Sequence, residues 1–110
     1  MASVVVDQVV LNAQSVLGQT SMPIARGSLL QLREMVVYVE FGDKTTGGQV
    51  TVEAAYTQAY PGTWAKVATI DWDGDTQCQC VQVTGVHGAL RARISKAILG
   101  GTVTVKVIGN

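Results

Sequence analysis

The sequence has no excess of either charge, few aromatic side chains, almost no cross-linking capacity and no long apolar run. Its 8 basic residues are balanced by 8 acidic ones. The basic footprint of a nucleic-acid-binding domain is therefore absent, as is any strong attraction to an anionic membrane. No window is apolar enough to cross a bilayer as a helix. The first residues, Met1-Ala2-Ser3-Val4-Val5-Val6, have no basic n-region, and Asp7 and Gln8 interrupt the apolar run, so no secretory signal is expected. Neither nucleic acid nor membrane is an expected partner.

The 2 cysteines, Cys78 and Cys80, stand two apart. On one strand their side chains share a face, and a bridge between them would need strained geometry. Free, buried thiols are the expectation, which fits synthesis in a reducing cytosol. Aromatic residues make up only 5% of a chain that is 47% hydrophobic. Valine, alanine, leucine and isoleucine must then fill the core, and these suit sheets better than a cofactor pocket. A chain of 110 residues makes one domain, able to bury roughly two thirds of its unfolded surface.

What is present is period-two alternation. In Leu90-Arg91-Ala92-Arg93-Ile94 apolar and basic residues alternate, and in Thr102-Val103-Thr104-Val105-Lys106-Val107 the valines share one face. A Gly-Gly turn joins the two segments. Near the start, Val4, Val5, Val6, Val9, Val10 and Leu11 form a β-prone run. It is read either as the first strand or as an arm that pairs with a neighbouring molecule, with residues 1–27 as an extended strand and loop. Asn12 to Gly27 reads as an irregular connection. Leu29 to Phe41 is the longest candidate element. Its Leu29, Leu32, Val36 and Val39 spacing would also suit a helix face, but the density of β-branched and aromatic residues from Met35 to Phe41 favours a strand. Gln49 to Thr57 reads as another strand, with Val50, Val52, Ala54 and Tyr56 on one side. The polar turn Lys44-Thr45-Thr46-Gly47-Gly48 makes a hairpin of these two. Strands at Thr63–Ile70 and Gln77–Val83 follow, after Tyr60-Pro61-Gly62 and the Asp71–Asp75 turn. Together these predict an all-β antiparallel sandwich, jelly-roll-like, of about seven or eight strands in a single domain, 1–110.

Residues that could carry chemistry are few. Asp71-Trp72-Asp73-Gly74-Asp75 gathers three carboxylates. Thr76 and Gln82 stand where the calcium loop of an EF-hand needs its glycine and its bidentate glutamate, so the segment reads as an acidic turn. Cys78, Cys80 and His87 lack a fourth zinc ligand and the usual Cys-x-x-Cys spacing. His87 is the only histidine, and it lies in a glycine-flanked turn with neither a nucleophile nor an orienting acid specified beside it. No catalytic residue, cofactor or metal is expected, and the chain is not read as an enzyme. Arg91 and Arg93 share a strand face, with Lys96 just beyond. They read either as a solvated face or as a dock for an acidic surface. Trp64, Trp72, Tyr56 and Tyr60 read either as core fillers or as a sugar-stacking set.

The run of Gly62-Thr63-Trp64, Gly85-Val86-His87-Gly88, Leu90-Arg91-Ala92-Arg93-Ile94 and Gly101-Thr102-Val103-Thr104-Val105 resembles small jelly-roll or sandwich proteins that decorate, cement or staple the capsids of tailed bacteriophages. The resemblance covers roughly the second half of the chain. It implies a virion protein, made in the bacterial host cytoplasm, that sits on the capsid surface and bridges major capsid protein subunits. A homodimer is expected, since two-fold pairing extends the reach of a staple. The partner-binding residues expected on this reading are Val4, Val5, Val6, Val9 and Val10 of the arm and Arg91, Arg93 and Lys96 of the basic face. A carbohydrate-binding or structural module of a phage tail, neck or fibre is the alternative.

Overall fold

Alternating valines set the sheets, because every second side chain of a strand points to the same side and a buried side selects apolar, β-branched residues. The structure, a computed structural model, describes residues 6–20, 34–57, 59–84 and 88–109, with side chains from Gln14 onward. Its strands are β1 (Val6–Gln14), β2 (Met35–Phe41), β3 (Gly47–Ala55), β4 (Ala65–Asp71), β5 (Cys78–Val83), β6 (Ala89–Leu99) and β7 (Val103–Gly109). There is no helix among the described residues. The strands form a four-stranded antiparallel sheet in the order β1-β7-β2-β5 and a three-stranded one in the order β4-β3-β6.

The two sheets pack face to face as a β-sandwich. From the four-stranded sheet come Met35, Val37, Val39 and Phe41 of β2, Val103, Val105 and Val107 of β7, and Val83 of β5. Opposite them lie Val50, Val52 and Ala54 of β3, Ile70 of β4, and Leu90, Ala92, Ile94 and Ile98 of β6. All belong to one cluster. Phe41 is its large ring, and Trp72, half-buried, tilts against it at 5.3 Å between centroids. That contact ties the Asp71–Asp75 turn to the core.

The pairing is nested. β1 pairs with β7, the last strand. The segment after β1 runs beside β6: Gly18 N–H donates to the Ile94 carbonyl at 2.8 Å, Ile94 N–H to that of Gln19 at 2.9 Å, and Ile98 N–H to that of Ser15 at 3.0 Å. Thr20 forms an antiparallel bridge with Arg93. β2 then pairs with β5, and β3 with β4. The chain is thus a long antiparallel ribbon, paired from its two ends inward and wound so that β7 also meets β2 and β6 also meets β3.

Three expectations are corrected. β2 and β3 are not a hairpin: they lie in different sheets, and the turn between them crosses the sandwich. Turn chemistry marks where a strand ends but not which partner the next one takes. There, the Gly42 N–H donates to the Thr102 carbonyl and the Thr46 N–H to that of Leu99, so the crossing is held by the neighbouring crossing from β6 to β7, which runs antiparallel to it. The cysteines are exposed rather than buried, because Gln79, Val81 and Val83 take the inward positions of β5 and leave Cys78 and Cys80 outside. Lys96 lies within β6 rather than beyond it, since that strand continues to Leu99 through two register shifts against β3. Gly48 sits at these shifts with φ of 143°, and a Cβ there would come within 2.5 Å of Ile98 Cδ1.

Candidate functional site

The outer side of the three-stranded sheet carries the most organised polar chemistry. Period two places Gln49, Thr51 and Glu53 of the central strand β3 outward, opposite its core valines. It does the same for Arg91, Arg93 and Ser95 of β6. On an ordinary solvated face such residues would be exposed. Here Thr51 is 2% and Glu53 5% exposed.

Glu53 is held by both arginines. Arg91 Nε donates to its Oε1 at 2.8 Å and Arg93 Nε to its Oε2 at 3.0 Å. One buried carboxylate therefore meets two guanidinium groups, and the group as a whole keeps one net positive charge. Arg91 also lies over Trp64, its guanidinium carbon 4.4 Å from the ring centroid. This cation–π contact contributes on the order of 0.5–2 kcal/mol. Trp64 is 4% exposed, and its Nε1–H donates to the Tyr60 carbonyl at 3.1 Å. It lies outside the main core cluster. A second chain of bonds runs across the strands: Thr51 Oγ1 donates to Ser95 Oγ at 2.7 Å, Ser95 Oγ to Gln49 Oε1 at 2.7 Å, and Gln49 Nε2 to Asp71 Oδ1 at 2.8 Å. Buried polar groups tied in this way fix geometry, because leaving any one unpaired is costly.

The sequence-predicted site residues separate into two places. Arg91 and Arg93 come together on Glu53, and exposed Lys96 lies further along the same strand, opposite Gln49. Val6, Val9 and Val10 lie on β1, which adds a strand to its own sheet rather than leaving it as an arm; Val10 falls where the register with β7 shifts. Val4 and Val5 lie outside the described residues, as do Gly85-Val86-His87, Leu29 and Leu32. The sugar-stacking set is also divided. Trp64 is buried beneath Arg91 and Trp72 packs on Phe41, while Tyr56 is 79% exposed, with its ring 5.2 Å from that of Tyr60.

In the acidic turn, Asp73 Oδ1 accepts the backbone N–H groups of Asp75 at 2.9 Å and Thr76 at 2.7 Å. These bonds, that from Asp75 foremost, hold its pKa below the ordinary 3.8. Among the described residues no three metal-ligating side chains converge.

Two features were missed in the sequence. Glu53 was detectable as the acid on the polar face of a valine-rich strand, matched by two arginines on another. The second is an exposed apolar set: Val16 at 64%, Leu17 at 60% and Leu99 at 58%. The first two lie on the loop hydrogen-bonded along β6, and the third ends that strand. The Val-Leu pair standing alone in a Gln/Ser-rich stretch was its signal.

Comparison with protein-family models, curated proteins and solved structures gave no match for this chain.

Proposed function

We propose that the chain is a jelly-roll virion protein that binds the outside of an assembled phage capsid and staples adjacent coat subunits. The nested pairing carries this reading. β1 with β7, residues 15–20 with β6, β2 with β5 and β3 with β4 is the winding of a jelly roll whose second strand is reduced to the segment around Thr20. That architecture is widely used for viral capsid domains. The character of the surface agrees with contact rather than catalysis. The polar side chains of the best-formed cluster bond to one another, and the exposed apolar set Val16, Leu17 and Leu99 offers contact area beside exposed Lys96.

On this reading the assembled lattice presents a composite site that free coat subunits lack, and binding stabilises the shell by mass action. Arg91, Arg93 and Lys96 set orientation against acidic coat residues, while apolar burial supplies most of the affinity. Quantitative mass spectrometry of purified virions tests it: the chain is expected in a fixed ratio to the major coat protein, and adding it to depleted shells should raise their melting temperature. A ratio of a few copies per particle would place it in a tail or neck instead.

Jelly rolls also serve as lectins, and exposed Tyr56 beside Tyr60 favours a glycan-binding alternative. It predicts a saturable hit on a glycan array that Tyr56→Ala abolishes. Trp64→Ala is the wrong probe, since that ring is covered.

A further inference from the structure

The lateral edges of the sandwich are not alike. Along β1 the register with β7 shifts twice, between Val9 and Leu11 and between Leu11 and Gln14. β4 shifts once against β3 and carries Lys66 and Asp71. β6 has residues 15–20 hydrogen-bonded along its outer side. Bulges, charges and coverings of this kind are what keep edge strands from pairing with other chains. Among the described residues β5 alone has none of them. Its sequence Cys78-Gln79-Cys80-Val81-Gln82-Val83 contains no charge, proline or glycine, and its register with β2 is unbroken from Met35↔Val83 to Glu40↔Cys78.

The register also fixes which backbone groups face outward. The Phe41 N–H donates to the Gln77 carbonyl at 2.8 Å. By the alternation of an antiparallel ladder, Gln79, Val81 and Val83 then bond to β2, while Cys78, Cys80 and Gln82 turn their N–H and C=O groups to the open edge. The side chains of those same residues are exposed.

We propose that β5 is a homotypic interface, at which two copies of the chain join edge to edge, antiparallel, about a two-fold axis through Cys80. The outward set Cys78, Cys80, Gln82 is centred on Cys80. Two-fold pairing sets Cys80 against its counterpart and Cys78 against Gln82, so every outward backbone group finds a partner. A strand pairing with its own copy normally brings like charges opposite each other, which is destabilising; an uncharged edge meets no such penalty. An acidic or basic edge would instead favour a foreign strand of opposite sign. Because both copies use the same edge, assembly closes at the dimer. The inference rests on the capsid-staple reading, for which the sequence leads one to expect a homodimer, and it names the surface of that dimer.

Two thiols make the register testable. In the proposed pairing the Cys80 Cα atoms lie about 5.5 Å apart, inside the disulfide range of about 4.4–6.8 Å. Each Cys78 lies about 14 Å along the strand from its counterpart. Under mild oxidation with diamide, Cys78→Ser, which keeps Cys80, is expected to form a covalent dimer at least tenfold faster than Cys80→Ser, which keeps Cys78. Equal rates, or the reverse order, overturn the register. In sedimentation, Cys80→Lys and Cys80→Glu are each expected to be monomeric, and their mixture to be a heterodimer; Gln82→Pro, which removes an outward N–H, should be a folded monomer by circular dichroism. A wild-type protein that is monomeric at high concentration overturns the proposal. So does a dimer indifferent to all three variants, which uses another surface and leaves the capsid reading, measured separately by virion occupancy, untouched.

Discussion

Arg91 lies across the indole of Trp64 at 4.4 Å while giving its Nε–H to Glu53 at 2.8 Å. A residue read from sequence as a docking group is thus also part of the scaffold. The two roles can be separated, because an arginine at the rim can rehydrate when its partner is lost, whereas a buried carboxylate cannot.

Arg91→Ala with Arg93→Ala strands the Glu53 carboxylate, and the expected cost is about 3–5 kcal/mol of folding stability. Adding Glu53→Gln to the pair should recover most of that loss. Urea denaturation of the wild type, the double variant and the triple variant checks it, with no recovery in the triple variant counting against a charge-stranding cost. Any effect of the arginines on particle binding should accordingly be measured in the Glu53→Gln background, where folding is not the confounding variable.

The strands were legible wherever one face is buried and the other wet. Val103, Val105 and Val107 of β7 and Leu90, Ala92 and Ile94 of β6 alternate as expected and lie in the core. Pairing was not legible, because Met35–Phe41 and Gly47–Ala55 have the same valine pattern whether they join each other or cross between sheets. β3 shows why the site was only half visible. It is buried on both faces, so Thr51 and Glu53, which period two assigns to solvent, are as buried as the valines beside them. A buried acid is marked in sequence only by its partner cations. Those stand 38 and 40 residues away from Glu53.

Thr45, in the turn that carries the chain from β2 to β3, is 6% exposed, and its Oγ1 has no hydrogen-bond partner among the described residues. Thr45→Val keeps the shape and removes the unpaired hydroxyl. Stability is expected to rise by about 1 kcal/mol, the lower end of the cost of burying such a group. Thermal denaturation that instead shows a lower melting temperature would mean the hydroxyl is bonded.

Asp73 makes a pH-dependent contribution at the same end of the sandwich, in the neighbouring turn, where Gln77 Nε2 donates to Asp43 Oδ1. Its ionised carboxylate accepts the Asp75 and Thr76 N–H groups, and these bonds lower its pKa in the folded chain. The unfolded chain therefore takes up the proton first as pH falls. The stabilisation is fully present above the ordinary value of 3.8 and is lost as pH drops below it towards the lowered folded value. An NMR titration should find the Asp73 midpoint below that of the same residue in a model peptide. Asp73→Ala should flatten the pH dependence of stability in that acid window and leave it unchanged near neutrality.

The salt dependence of particle binding decides between the apolar set and the basic face. Glu53 already neutralises one of the two arginine charges, so the basic residues bring less net charge to a partner than the sequence suggests. Exposed Val16, Leu17 and Leu99 are not screened by salt at all. Affinity for shells is therefore expected to fall less than about tenfold between low and physiological ionic strength. Leu17→Ser with Leu99→Ser should remove most of the occupancy, and Lys96→Ala should slow association more than it weakens the final complex. A steep collapse with salt, together with full occupancy by the serine variant, would make the contact electrostatic and direct the search to an acidic polymer.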